Sequence, residues 1–235
     1  MSENNSQYDV IVIGAGVAGL YQLFKLRQLK LKALVIEAGD NVGGTWYWNR
    51  YPGARFDSES WSYGYSFSKE LFEEWDWPEH FAAQPDTLRY LNYVADKFDF
   101  RRDIKFDRRV EACVFDQHNN LWTVRTNTKE EYVARFLITA LGPLSAFTLP
   151  NIEGRETFKG PAYHTARWPH EEVDFSGKRV GIIGTGACAI QTIQTIAKDV
   201  AHLTVFQRSP NWAAPLNNSV ITKDEQKQIK QDFEK

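Results

Sequence analysis

Near the start of the chain an apolar strand runs into a glycine turn, followed by a helix, a second strand and a terminal acid. This succession restricts the fold more than any other feature of the sequence. Val10-Ile11-Val12-Ile13 is a solid apolar run, the pattern of a strand covered on both faces in a parallel sheet. It enters Gly14-Ala15-Gly16-Val17-Ala18-Gly19, after which Leu20, Leu23, Phe24, Leu26 and Leu29 recur at helical spacing. A strand from Ala33 to Ile36 then closes on Glu37. Each position has a physical task. Gly14 allows the tight turn, Gly16 lets backbone approach a pyrophosphate at the helix N-terminus, and Gly19 permits close packing of helix on strand. Glu37 can accept hydrogen bonds from an adenosine ribose. A glycine triad alone says little, whereas the complete order of strand, turn, helix, strand and acid is specific.

The unit recurs. Arg179 to Ile183 reads as a strand leading into Gly184-Thr185-Gly186-Ala187-Cys188-Ala189, with Ala189 in the third glycine's place. A helix from Ile190 to about Lys198 and a strand from Leu203 to Phe206 follow. The step that carries Gly14 to Glu37 carries Gly184 to Gln207, and Arg208 comes next. A carboxylate there would repel a ribose 2'-phosphate, whereas a guanidinium can grip one with paired, charge-assisted hydrogen bonds. The alternative for Arg208 is an ordinary exposed arginine. The contrast predicts an unphosphorylated adenosine, as in FAD, at the first unit and NADP at the second. The predicted fold is therefore α/β, with two Rossmann-like dinucleotide-binding domains. Two such sites in one enzyme suit passage of hydride from nicotinamide to flavin, the work of an oxidoreductase.

Composition narrows the partners. The 28 basic and 30 acidic residues nearly cancel and are scattered, so no footprint for nucleic acid or an anionic membrane is expected, and small molecules are the expected partners. Cys113 and Cys188 are too few for a disulfide framework or a zinc cluster, which predicts no metal and suits a reducing cytoplasm. No run of about 18 apolar residues exists to span a membrane. The polar start, Met1 to Asp9, lacks the pattern of a secretory signal.

Between the units lies Gly43-Gly44-Thr45-Trp46-Tyr47-Trp48-Asn49-Arg50-Tyr51-Pro52-Gly53-Ala54-Arg55-Phe56-Asp57. Glycine pairs free backbone amides to approach a cofactor, and packed aromatics either exclude water from a flavin or simply form core. Further strands are predicted at Val110 to Phe115, Leu121 to Thr126 and Tyr132 to Thr139, the last leading to Leu141-Gly142-Pro143. The stretch from Gly43 to Asp57 resembles Baeyer-Villiger monooxygenases. So does Phe158-Lys159-Gly160-Pro161-Ala162-Tyr163-His164-Thr165-Ala166-Arg167-Trp168-Pro169, which fits that family's F-x-G-x-x-x-H-x-x-x-W-P fingerprint at every fixed place. The cycloalkanone type is the nearest in look.

The resemblance implies an enzyme that uses FAD, NADPH and O2 to convert a ketone, cyclic ketones foremost, into an ester or lactone. It implies that Gly44, Thr45, Trp46, Asp57, Tyr63 and Val110 join Glu37 in lining FAD. Thr185, Gly186, Gln191, Arg208 and Ser209 would line NADP. Arg55 would lie close to where the two cofactors meet, and Asp57 would hold an arginine that steadies the anionic oxygenating species. Arg55 and Asp57 are thus the catalytic candidates, the bland alternative for Asp57 being the cap of a turn. Phe158, Gly160, His164 and Trp168 mark the fingerprint, in which His164 serves either the chemistry or a hinge.

The expected division is a first domain over 1–141, a linker and second domain over 142–212, and the start of a helical insertion over 213–235. Two strands before Trp212 are few for a domain beginning at Arg179, and Thr222 to Lys235 reads as a polar helix with little to bury. Both nucleotide domains are therefore expected to be incomplete within these residues, with open edges and exposed apolar faces. The remainder, including the steadying arginine, would lie in a C-terminal half on the same or a separate chain. The alternatives are an N- or S-oxygenating flavin monooxygenase and an inactive nucleotide-binding fragment.

Overall fold

The structure, a computed structural model, describes residues 7–231. The polar start through Ser6 and the end of the C-terminal segment lie outside that range. In chain order the elements are β1 (Gln7–Ile13), α1 (Val17–Gln28), β2 (Ala33–Ile36), α2 (Thr45–Trp48), α3 (Ser60–Tyr63), α4 (Lys69–Glu74) and α5 (Gln84–Lys97). Then come β3 (Ile104–Lys105), β4 (Val110–Asp116), β5 (Leu121–Thr126), β6 (Glu131–Thr139), β7 (Arg179–Ile183), α6 (Ala187–Ile196), β8 (His202–Phe206) and α7 (Lys223–Gln231). Among the described residues no helix is long and apolar enough to cross a membrane.

The chain divides into two compact units, one of residues up to Tyr47 with Leu91–Thr148, the other of Trp48–Tyr90 with residues from Leu149 on. The first is built on a six-stranded sheet in the order β3-β2-β1-β6-β5-β4. Its inner strands are parallel, with Ile13 beside Ile36 on one flank and Thr139 on the other. The chain leaves β1 toward β2 on one side, and β6 occupies the other, so the carboxyl end of β1 is a topological switch point, the usual ligand crevice of such sheets. The expected strands after Arg109 form an antiparallel meander, β4-β5-β6, whose last strand joins the parallel core.

All four β2 residues are buried, as are Val10 to Ile13 of β1, which accounts for the unbroken apolar runs. Burying each such side chain stabilises the fold by about 1.5–3 kcal/mol relative to exposure. Helix α1 faces this sheet with Gly19, Leu20, Leu23 and Leu26. Leu29 lies instead at the helix C-cap and is exposed, because α1 ends at Gln28 before that residue can turn inward. Arg27 of α1 donates to the carbonyls of Phe98 and Asp99, both at 2.7 Å, meeting carbonyls that the end of α5 leaves open.

In the second unit β7 and β8 form a parallel pair with α6 between them in sequence. Here alternate residues of β7 and the last two of β8 face solvent, with Ile183 63% and Phe206 56% exposed. The unit also contains an aromatic block in which Tyr65 donates its amide to the Tyr90 hydroxyl at 2.7 Å and Trp77 lies 4.9 Å from the Tyr90 ring.

A methyl group at Gly19 would stand 1.8 Å from the Gly14 carbonyl oxygen, and neither backbone can yield. Gly19→Ala is expected to lower stability by about 1–3 kcal/mol through overpacking. Gly186→Ala, at φ −71° with nothing within 4 Å of the new methyl, should leave Tm nearly unchanged in the same thermal melts.

Candidate functional site

The first glycine turn is walled by backbone. Gly14 takes φ +102°, and a Cβ there would lie 2.6 Å from the Ala140 carbonyl oxygen. Gly16 and Gly44 meet back to back: a Cβ on Gly44 would fall 2.7 Å from the Gly16 Cα, and one on Gly16 3.2 Å from the Gly44 Cα. Gly43 ties the strap, residues 43–46 after β2, to the turn by donating to the Ala15 carbonyl at 3.0 Å, with Trp46 buried in α2. Gly16 is the N-cap of α1 and no side chain caps the helix, the arrangement in which helix N-termini meet anions.

Glu37 is buried, with Oε2 accepting from the Ala15 amide at 2.7 Å and Oε1 from the Gly39 amide at 2.8 Å. Each carboxylate oxygen has a second lone pair, so capacity remains for a sugar hydroxyl. The Arg108 amide donates to the Glu37 carbonyl at 2.9 Å, bringing the start of β4, where Val110 joins the core, alongside the end of β2.

The second turn repeats the backbone conformation of the first, without the close main-chain contacts around it. Gly184 takes φ +104° and donates to the Phe206 carbonyl at 2.9 Å, as Gly14 does to Ile36 at 2.8 Å. Gly186 is the uncapped start of α6 at φ −71°, ψ 176°, matching Gly16 at φ −81°, ψ −168°. The difference lies at the end of the second strand. Where Glu37 accepts from the Ala15 amide, Gln207 Nε2 donates to the Thr185 hydroxyl at 3.0 Å. Both bonds span 22 residues. Asn211, which the sequence did not single out, donates to the Thr185 carbonyl at 2.8 Å. Arg208 and Ser209 are exposed beside Gln207, and Ala189 carries the Cβ that Gly19 has no room for.

The structure therefore gathers Gly14, Gly16, Gly19, Glu37, Gly44, Thr45, Trp46 and Val110 in the first unit. Arg55, Asp57 and Tyr63 belong to the second, with Gly184, Thr185, Gly186, Ala189, Gln191, Arg208, Ser209 and the fingerprint. Asp57 is exposed, and the Tyr63 ring stacks on Phe56 at 4.4 Å. The Arg55 guanidinium donates to Glu79 Oε2 at 3.0 Å and to the Phe81 carbonyl at 3.1 Å, and Asn218 Nδ2 holds the same Glu79 oxygen at 2.7 Å. Glu79 and Asn218 are distant in sequence and carry no local pattern, so nothing in the sequence connects them to Arg55.

Within the fingerprint, His164 caps a short turn with Nδ1 accepting from the Ala166 amide at 3.1 Å. Burial, reinforced by the nearby Arg167 charge, holds its pKa below the ordinary 6.5. Arg167 lies 4.7 Å over the Trp48 ring. Trp168 packs between Tyr163 and Phe175, while Phe158 is largely exposed and folds its ring over Gly160.

Comparison with known proteins fits this arrangement. The pyridine nucleotide-disulphide oxidoreductase family matches residues 11–234. The chain is 50% identical over 222 residues to the 2-oxo-Delta(3)-4,5,5-trimethylcyclopentenylacetyl-CoA monooxygenase of Pseudomonas putida, covering 92% of this chain and 41% of that protein. It is 45% identical over 229 residues to the cyclohexanone 1,2-monooxygenase of an Acinetobacter species (97% and 42%). To the phenazine N-monooxygenase PhzNO1 of Lysobacter antibioticus it is 43% identical over 235 residues (100% and 43%). Among solved structures, that of OTEMO in complex with FAD and NADP superposes with a TM-score of 0.93 at 47% identity, covering 99% of this chain and 44% of that one. The resemblance to Baeyer-Villiger monooxygenases is borne out, and the chain spans about two-fifths of the length of the curated relatives it matches.

Two outcomes follow from this geometry. Glu37→Gln sets an amide NH2 against backbone donors, and should lower stability by about 1–3 kcal/mol in denaturant melts. His164 is neutral at pH 7. Its depressed folded pKa means that the Ala166 bond is intact above about pH 6.5 and is lost as pH falls through the lower folded value. An NMR titration that followed the His164 ring and the Ala166 amide would contradict this if the ring titrated above 6.5.

Proposed function

Because the chain belongs to the pyridine nucleotide-disulphide oxidoreductase family, we propose that it carries the FAD turn and the NADPH turn of a Baeyer-Villiger monooxygenase. The complete protein would use O2 to insert an oxygen atom beside a ketone carbonyl, cyclic ketones foremost, giving an ester or lactone. One observation carries the two-nucleotide assignment: an acceptor carboxylate and a donor amide occupy the same place in two turns of matching geometry. The first turn suits an unphosphorylated adenosine, the second a 2'-phosphate beside Arg208.

The residues fit the two groups. Gly14, Gly16 and Gly44 let the turn and the following segment pack main chain on main chain, and α1 begins there with no side-chain cap, the arrangement that suits a pyrophosphate. Glu37, with the strap from Gly44 to Trp46 and with Val110, Asp57 and Tyr63, would hold FAD. Thr185, Gly186, Ala189, Arg208 and Ser209 would hold NADPH, with Gln191 on the helix that opens at that turn. When bound, these cofactors supply a hydride and the means to activate O2. For its part the chain would bind and orient them. Arg55 and Asp57 are assigned to the chemistry as a fixed cation and as the support of a further arginine. His164, whose ring serves the local backbone, is assigned to a hinge.

In the whole protein residues 1–141 would open the FAD domain, 142–212 the linker and NADP domain, and 213–235 a helical insertion, with a C-terminal half completing both. The unpaired Cys113 and Cys188 suit a cytoplasmic setting. A second reading, oxidation of a ring nitrogen, is favoured by the likeness to the phenazine enzyme, whereas the Phe158 to Pro169 fingerprint favours ketones.

The test is NADPH oxidation by the complete FAD-loaded polypeptide with cyclohexanone, phenazine or a thioether, followed by product analysis. Caprolactone formation is expected, and exclusive N-oxide formation would select the second reading. Arg208→Ala should shrink the preference for NADPH over NADH by about 10- to 100-fold, the loss of charge-assisted bonds to one phosphate. An unchanged preference would remove the basis for assigning the second turn.

A further inference from the structure

In the second unit, segment 51–55 lies close against helix α6. Gly53 takes φ +80°, and a Cβ there would stand 2.2 Å from the Thr195 hydroxyl and 2.6 Å from the Gln191 carbonyl oxygen. Glycine is thus required both for the conformation and for the contact. The Gln191 side chain completes the seat. Its Oε1 accepts from the Tyr51 hydroxyl at 2.8 Å and from the Arg55 amide at 3.4 Å, while Nε2 donates to the Arg55 carbonyl at 3.0 Å. One side-chain amide therefore satisfies both backbone groups of Arg55, as a neighbouring strand would. Tyr51 is buried, and burial, with the Cys188 thiol and the Asp57 carboxylate adding to it, pushes the phenol far above its ordinary range. It stays protonated, and a donor, at any working pH.

Gln191 sits in the second turn of α6, the helix whose uncapped N-terminus at Gly186 is the anion-binding end. Whatever orders the first turns of α6 also orders the group that holds Arg55. With one amide hydrogen left, Gln191 has little to offer a nucleotide directly. We propose that Gln191 is a positioning residue that links nucleotide binding at Gly184–Gly186 to the backbone of Arg55, so that occupation of the second turn fixes the Arg55 segment. The proposal rests on the reading of that turn as a dinucleotide site. It departs from the expectation that Gln191 chiefly lines the nucleotide.

Hydrogen exchange over residues 50–57 of the complete, FAD-loaded polypeptide, with and without saturating NADP+, tests the link. In the wild type NADP+ should slow exchange of the Arg55 amide by about tenfold, the scale of two modest hydrogen bonds made more persistent. In Gln191→Ala the segment should exchange faster from the outset and ignore NADP+, while NADP+ affinity changes by less than about threefold. Tyr51→Phe, which keeps both bonds to Arg55, should retain the response. Gln191→Glu keeps the acceptor and loses the donor, so it should respond partially, and it serves in place of Gln191→Ala if that variant does not fold. Equal protection by NADP+ in wild type and the Gln191 variants would overturn the proposal, as would a large loss of NADP+ affinity, which would make Gln191 a ligand contact. A wild type that binds no NADP+ would defeat the dinucleotide reading instead, a separate and recognisable result.

Discussion

The buried Glu37 carboxylate, satisfied by the Ala15 and Gly39 amides, is the interaction on which the first unit's site depends. A buried charge without partners carries a penalty of several kcal/mol, so the end of β2 and the start of the glycine turn cannot separate without leaving it stranded. The bond fixes the turn relative to the strand, and the turn fixes where α1 begins. Only then can Gly19 lie against the Gly14 carbonyl and Gly44 against Gly16, contacts that tolerate no side chain. The result is a turn at the carboxyl end of β1 packed main chain on main chain.

Substituting an amide for this carboxylate changes the second turn without changing its shape. Gln207 keeps the hydrogen bond across the same span but reverses its sense, donating to the Thr185 hydroxyl where Glu37 accepts. The second turn thus lacks the formal negative charge that Glu37 gives the first, and the exposed Arg208 follows next in sequence. Electrostatic character is thus altered by two adjacent residues, while the backbone contacts that make the turn remain.

Much of this was legible beforehand because it is local. The apolar run before Gly14, the glycine spacing and the step to Glu37 or Gln207 each occupy one continuous segment, and β2, β5 and β7 have the predicted bounds. What escaped depends on chain segments far apart. The two-residue β3 is a strand only because β2 offers it an edge, and its composition carries no signal. Helix α5 opens at Gln84 with a proline at its second residue, and its buried residues carry no local boundary signal. The partition of Trp48–Tyr90 away from the strap that precedes it has no marker in the sequence. Glu79 and Asn218 reach Arg55 from separate stretches, so the residues that aim a candidate side chain were the least readable part of the site.

The two turns also differ in what holds their helices. Helix α1 is drawn onto the sheet by the glycine contact at Gly19 and lies against strands buried on both faces. Ala189 rules out an equally close approach in the second unit, where β7 and β8 expose Ile183, Val205 and Phe206 and give α6 less apolar surface to pack on. Helix α6 is correspondingly engaged by the Tyr51–Arg55 segment, through the main chain at Gly53 and the side chain of Gln191. A helix fixed by a loop rather than by a deep sheet contact has more freedom to shift when an anion meets its N-terminus. The loop that fixes it carries Arg55, so a shift of α6 would be felt first at the Arg55 backbone, through Gln191.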